Sequence, residues 1–331
     1  MKRIKITILF FLTITLIGCG VNKDLKENKS NPTNDSKIED KIEDKKKVNI
    51  DKKEIIDKLC SNEFEGRLVG SKGNKLAEDY IAYTFKDIGV EPLIGNEYYH
   101  TYIQEITPRY SEVKPDDIVK DDKVNNIVGK INGKDNTKAI VLSAHFDHIG
   151  KQNEDIIKGA VDNASGVSVL IDLADKLVKS SKENKFAYDI IICSFNGEEK
   201  GLSGSKEFIK SCKGMYKDLF NINIDSVGYK NSGSMLFLNS NDKYNNIYDK
   251  LELVLNENNI QTSRTIDNKI GFSDSNSFEL EGIKNVCLIE ENVKEVIHSP
   301  KDVEDVIDYN RLDCISKSVY DFITKYAFEI I

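Results

Sequence analysis

Four stretches of this chain are apolar without alternation: AIVLSA (139–144), DIIICSF (189–195), LFNINI (219–224) and NVCLI (285–289). A strand with one wet face alternates apolar and polar residues, so an unbroken run of this length predicts a strand covered on both sides. Such strands need helices above and below them. Between Asp162 and Lys179 the apolar residues Val167, Leu170, Ile171, Ala174, Leu177 and Val178 form one helical stripe, with Asn163 and Ser165 as cap-like residues at its start. A second helix is predicted over Lys75 to Ile88, from Leu76, Tyr80, Ile81, Thr84 and Ile88, with Gly89 as its stop. A third is predicted over Val303 to Phe328, burying Leu312, Ile315, Val319, Phe322 and Ile323. Strands and helices in this order, with no fixed-period repeat, predict a single α/β domain. Its expected architecture is three-layer, a mostly parallel mixed sheet with helices on both faces.

The front of the chain does not belong to that domain. MKRIK followed by ITILFFLTITLI is a basic segment and an apolar stretch too short for a mature membrane span, and residues 1–18 read as a secretion signal. Its end, Leu16, Ile17, Gly18 and Cys19, resembles the bacterial lipobox. That resemblance implies cleavage before Cys19 and diacylglyceryl modification of its thiol. Residues 19–47 are nearly all Lys, Asp, Glu, Asn and Ser and cannot bury enough surface to offset their ordering entropy, so they are expected to act as a tether. The expectation is a globular body, residues 48–331, held by its lipid on the outer face of the cell membrane. Beyond Cys19 the five cysteines, Cys60, Cys193, Cys212, Cys287 and Cys314, show no CxxC spacing. At most two disulfides are possible, and Cys193 and Cys287, inside strand-like runs, are expected as buried thiols. A formal charge of −8 argues against nucleic acid as partner.

In open α/β sheets, ligands collect beyond the carboxyl ends of the strands. There the sequence places His145, Phe146, Asp147 and His148 after the first run, Asn196, Gly197, Glu198 and Glu199 after the second, and Asp225 after the third. His298 follows the fourth at a short distance, and Asp162 stands just ahead of a helix. Singly, each has an ordinary reading: an Asp before a helix is usually a cap and a Glu pair in a loop is usually solvated. Jointly, two imidazoles and three carboxylates make a nitrogen and oxygen set that suits zinc, or manganese or cobalt. Five ligands with one carboxylate shared suit two ions about 3.5 to 4 Å apart.

HFDH, GAVDNASG, NGEEKGLSGS, NIDSVG and VIHS, in this order, resemble the motifs of the secreted bacterial di-zinc aminopeptidases. That family also includes glutamate-carboxypeptidase-like enzymes and glutaminyl cyclases. LCSNEFEGRLVGSKGN, from Leu59, is similar to the family's opening segment, and the likeness runs to Asp308. The resemblance implies the zinc-dependent exopeptidase fold and a monomeric enzyme that removes N-terminal residues from peptides with two Zn2+, which Mn2+ or Co2+ could replace. It also implies that His145 and Asp225 share one ion, Glu199 and His298 the other, and Asp162 bridges both. Glu198 would then be the general base, Asp147 would orient the His145 ring, and the bond from Asp162 to Asn163 would be cis. A glutaminyl cyclase would normally need one zinc, and a carboxypeptidase for acidic residues would want cations in its pocket, where only Arg67 and Arg264 lie near motifs. An inactive peptide- or metal-binding lipoprotein would more naturally lack part of this set. Three features depart from the family pattern. Ile297 stands where some relatives have a tyrosine that stabilises the oxyanion, which leaves the second ion or a donor such as Tyr229 for that task. SDSNSF (273–278) carries Ser275 and Asn276 in place of bulk, and no lid-sized insertion lies between Tyr102 and Asn125.

Overall fold

A computed structural model describes residues 50–106, 120–238, 245–264 and 271–326. Residues 1–49, which include the expected signal segment, Cys19 and the expected tether, lie outside the described residues. In chain order the strands are β1 (Glu91–Pro92), β2 (Tyr99–Ile106), β3 (Lys120–Ile131), β4 (Asp135–His145), β5 (Lys151–Gln152), β6 (Asp155–Ile156), β7 (Tyr188–Phe195), β8 (Asp218–Ile224), β9 (Met235–Leu238), β10 (Thr262–Ser263) and β11 (Lys284–Glu290). The helices are α1 (Lys52–Leu59), α2 (Lys72–Ile88), α3 (Gly166–Glu183), α4 (Ser203–Cys212), α5 (Asn245–Glu257), α6 (Ser275–Leu280) and α7 (Tyr309–Lys325). Nine strands form one sheet in the order β1-β3-β7-β4-β8-β11-β9-β10, with β2 also paired to β3. The four apolar runs are its centre, where β7, β4, β8 and β11 are mutually parallel. Antiparallel pairs flank them, β3 against β7 on one side and β9 against β11 on the other.

The reason those runs do not alternate is visible in β7, all of whose residues are buried. Ile190 and Ile192 enter the core shared with α1, α2, α3, α5 and α7. Ile191, Cys193 and Phe195 enter a second core under α4 and α6, beside Phe208 and Phe278. Burying one such side chain contributes about 1.5–3 kcal/mol, and both faces of the strand collect it.

The sequence also specifies the helix ends. Ser71 caps α2 by accepting the Asn74 N–H at 3.1 Å, and Gly89, at φ +89°, stops it where a left-handed residue is needed. Two expectations need correction. At the start of α3 the Ser165 hydroxyl donates to Val161 O at 2.7 Å and is no cap, while Asn163 Oδ1 accepts the Gly166 N–H at 3.0 Å. The last helix starts at Tyr309, not Val303, because Asp308 caps it by accepting the Arg311 N–H at 3.1 Å. Upstream, Glu304–Val306 is a 3-10 turn and Ile307 bridges to Tyr229; Phe328 lies outside the described residues. Cys60, Cys193, Cys212, Cys287 and Cys314 are all free, and Cys193 and Cys287 are fully buried.

In-register parallel strands bring their ends to one level. His145 pairs with Phe195 across β4 and β7, Ser143 with Asn223 across β4 and β8, and Ile224 with Leu288 across β8 and β11. The residues that follow these positions therefore emerge side by side.

Candidate metal centre

His145 is the last residue of β4, and its ring Nε2 lies 3.2 Å from Asp162 Oδ1 and 3.4 Å from Asp225 Oδ1. His298, on the far side, has Nε2 3.0 Å from Asp162 Oδ2 and 2.9 Å from Glu199 Oε1. The Asp162 carboxylate thus stands between the two histidines with one oxygen toward each. Ligand-capable atoms of His145, Glu198 and Asp225 lie within 4.8 Å of one another, as do those of His148, Asp162, Glu199 and His298.

Hydrogen bonds between segments far apart in the chain hold each piece. The peptide from Asp162 to Asn163 is cis. The Asn163 side chain ties this loop to the end of β8, donating to Ile224 O at 3.0 Å and accepting the Ser226 N–H at 3.1 Å. Asp302 accepts the backbone N–H of Val161 at 2.6 Å and of Asp162 at 3.1 Å. Asp225 accepts hydroxyls of Ser273 at 2.5 Å and Ser226 at 3.0 Å. The buried Arg67 guanidinium donates to the carbonyls of Leu59, Phe146, Lys158 and Gly159, gathering the loops beneath the site. It is wholly structural in placement. Asp147 is fully buried; its carboxylate accepts the backbone N–H of Glu198 at 3.1 Å and of Glu199 at 3.2 Å. His145 Nδ1 sits 3.1 Å from the Asp147 carbonyl oxygen and 3.7 Å from its carboxylate. The main chain of Asp147 is therefore the nearer partner of that ring, and its side chain chiefly holds the Glu198–Glu199 loop.

Burial dominates the electrostatics. It pushes the Glu198 carboxyl well above its ordinary value, with Asp225, Asp274 and Glu199 adding to the effect against His145. Burial also pushes Asp274 up to about 7 and Asp302 up to about 6. For His145 burial acts downward, but Asp225 and Glu198 more than offset it and hold the ring well above its usual value. Hydrogen bonds to Asp162 and Glu199 raise His298 to about 11. Burial works against ionisation of Asp162 and Glu199, yet the histidines around them keep both below the usual carboxylate range. Buried carboxylates in this number are costly unless a cation neutralises them. Histidine nitrogens and carboxylate oxygens at these spacings are the donor set zinc takes, so the residues fit a metal.

The site opens into a cavity of about 390 Å3 whose wall is apolar, formed by Phe272, Ile289, Val293 and Ile297, with Lys294 also lining it. Ile297 occupies the wall next to His298. Tyr229 does not line the cavity; its hydroxyl is 3.4 Å from Glu295 Oε2 and accepts from Asn231 at 3.3 Å. Arg264 pairs with Asp249 and Glu252 and, like Arg67, stays out of it. The structure thus brings together His145, Asp162, Glu198, Glu199, Asp225 and His298, with Asp147 beneath them. It adds His148, Asp274 and Asp302, to which the sequence assigned no role. The fourth position of HFDH and the SDSNSF segment were the available signals.

A covered α/β sheet with an imidazole and carboxylate cluster beyond its parallel strand ends is the scaffold of a metal-dependent hydrolase. Residues 126–323 match the model of peptidase family M28, and the chain belongs to that family. The alkaline phosphatase isozyme conversion protein of Escherichia coli (strain K12) is 26% identical over 193 residues, 54% of this chain and 51% of that protein. The chain thus spans about half the length of that relative. The crystal structure of the Legionella pneumophila LapA aminopeptidase superposes with a TM-score of 0.62 at 20% identity, covering 84% of this chain and 71% of LapA. That of Fimbriiglobus ruber glutaminyl cyclase gives 0.63 at 16% identity, covering 84% and 96%. At these identities both likenesses establish the fold.

Proposed function

We propose that this chain is a zinc-dependent aminopeptidase that removes N-terminal residues from peptides at a binuclear centre, held outside the cell membrane by lipid on Cys19. One observation carries the reading: Asp162 presents Oδ1 to His145 at 3.2 Å and Oδ2 to His298 at 3.0 Å. With Asp225 beside His145 and Glu199 beside His298, this supports one ion on His145, Asp162 and Asp225 and another on Asp162, Glu199 and His298. Three protein donors for each ion would leave room for water or substrate, as catalytic zinc sites do. A bound pair of divalent cations supplies Lewis-acid polarisation and lowers the pKa of water from near 16 toward about 7. Glu198, half-buried on the His145 side, is the carboxylate left to take a proton from water and return it to the departing amine. Asp147 holds that carboxylate's loop through the Glu198 and Glu199 amides. The apolar wall shields the reacting carbonyl from bulk water and accepts a peptide side chain.

The purified chain should hydrolyse aminoacyl anilides, lose activity to a chelator and recover it with zinc. Glu198→Gln should lower kcat by about 10^2- to 10^4-fold while retaining zinc. Full hydrolysis by that variant would sink the assignment of the base.

The likeness to a glutaminyl cyclase of the same fold makes cyclisation of glutaminyl peptides the second reading. A zinc content near one per chain, with ammonia released from glutaminyl peptides and no anilide cleavage, would favour it over the first.

A further inference from the structure

His148 ends the HFDH motif and is fully buried. Its backbone N–H donates to Arg67 O at 3.2 Å, and its ring lies against Gly159, where an added Cβ would meet the imidazole at 2.6 Å. Gly159, at φ +63°, therefore keeps a slot open for this ring. Nδ1 sits 3.0 Å from Glu199 Oε1, while Nε2 is buried with no hydrogen-bond partner among the described residues.

Those two facts choose between tautomers. If the proton were on Nε2, a buried N–H would have no acceptor, and the Nδ1 lone pair would face a carboxylate oxygen at hydrogen-bond distance. Direct binding of an ion at Nδ1 would demand the same orphaned Nε2–H. With the proton on Nδ1, the ring donates to Glu199 and only a lone pair goes unsatisfied. Unsatisfied buried acceptors are more readily tolerated than orphaned N–H groups.

We propose that His148 is a positioning residue for the metal centre: its Nδ1–H grips Glu199 Oε1 and turns that carboxylate toward the His298 ion. This rests on the reading of Glu199 as a ligand. Ligating carboxylates held by a hydrogen-bond donor bind metal more tightly than free ones.

The test compares His148→Asn, His148→Gln and His148→Phe in the full chain. Asparagine places an amide N–H near the Nδ1 position, glutamine reaches the Nε2 position and phenylalanine offers no donor. Zinc affinity is measured by competition with a chelator, zinc content after dialysis, and the visible spectrum after cobalt substitution. His148→Phe and His148→Gln should weaken one of two zinc ions by about 10- to 100-fold, while His148→Asn stays near wild type with an unchanged cobalt spectrum. If His148→Phe does not fold, the Asn and Gln pair decides. An Asn variant as weak as Gln, with altered cobalt bands, would make His148 a direct ligand and overturn the proposal. Wild-type affinity in all three would reduce it to a filler of the slot. Absence of zinc binding by the wild type would remove the metal reading along with it, whereas binding by the wild type with indifferent variants removes this inference alone.

Discussion

The backbone N–H of Glu198 donates to the Asp147 carboxylate across 3.1 Å, so the loop after β4 holds the loop after β7. Glu199 does the same with the other oxygen at 3.2 Å. Asp147→Asn would set an NH2 group against one of these amides, a loss of about 1–3 kcal/mol for a buried pair. Because the side chain acts on the position of Glu198, kcat for an aminoacyl anilide should fall by about 10- to 100-fold with zinc still bound. Unchanged kcat in a folded variant would show that the clamp has no part in catalysis.

Asp162 and Asp225 should differ in how much metal each retains. Asp162 faces both histidines, whereas Asp225 faces only His145. Asp225→Ala is expected to lose one zinc and Asp162→Ala to weaken both, read as metal content after dialysis against dilute zinc. Equal losses from the two variants would contradict a shared carboxylate.

These shifted groups set a pH dependence for the metal-free protein. Glu198, Asp274 at about 7, Asp302 at about 6 and His298 at about 11 are all raised by folding. A raised group contributes stability fully below its unfolded value, which is lost as pH climbs through the folded one. Asp162 and Glu199 are lowered, and their contribution is lost only as pH falls below the usual carboxylate range. Metal-free protein should therefore be most stable near the unfolded carboxylate values, about pH 4, and lose Tm steadily toward pH 9. Zinc replaces the missing positive charge, so its Tm increment should be larger at pH 8 than at pH 5. Thermal scans with and without zinc at both values read this directly; an equal increment would refute it.

The cavity wall sets the choice of substrate. Phe272, Ile289, Val293 and Ile297 offer apolar surface, and the carboxylates lining the same cavity, Asp162, Glu198 and Asp225, belong to the proposed metal centre. Leucyl and phenylalanyl anilides should exceed lysyl and aspartyl ones by about 10- to 200-fold in kcat/KM. A panel led by aspartyl substrates would instead point to Lys294 as the specificity residue.

Much of the fold was legible because its central strands are buried on both faces. AIVLSA, DIIICSF, LFNINI and NVCLI are buried in every residue but Leu219, and the strands at these positions are β4, β7, β8 and β11. The edges were not legible. β2 and β3 are antiparallel and mix polar with apolar residues, so their pairing depends on partners and not on local pattern. The extent of the last helix was also misjudged, since the apolar stripe does not say which of several acidic residues will cap it; Asp308 does.

The sequence alone offered the candidates, His145, Asp147, His148, Asp162, Glu198, Glu199, Asp225 and His298, because residue type and position near a strand end or a helix start are local properties. Only the tertiary structure decided how they meet. It set the two oxygens of Asp162 toward different histidines, gave the Asp147 carboxylate to the Glu198–Glu199 amides, and turned His148 onto Glu199. The physical reason is that direction and distance between side chains far apart in the chain come from strand register and loop hydrogen bonds, which no single segment contains.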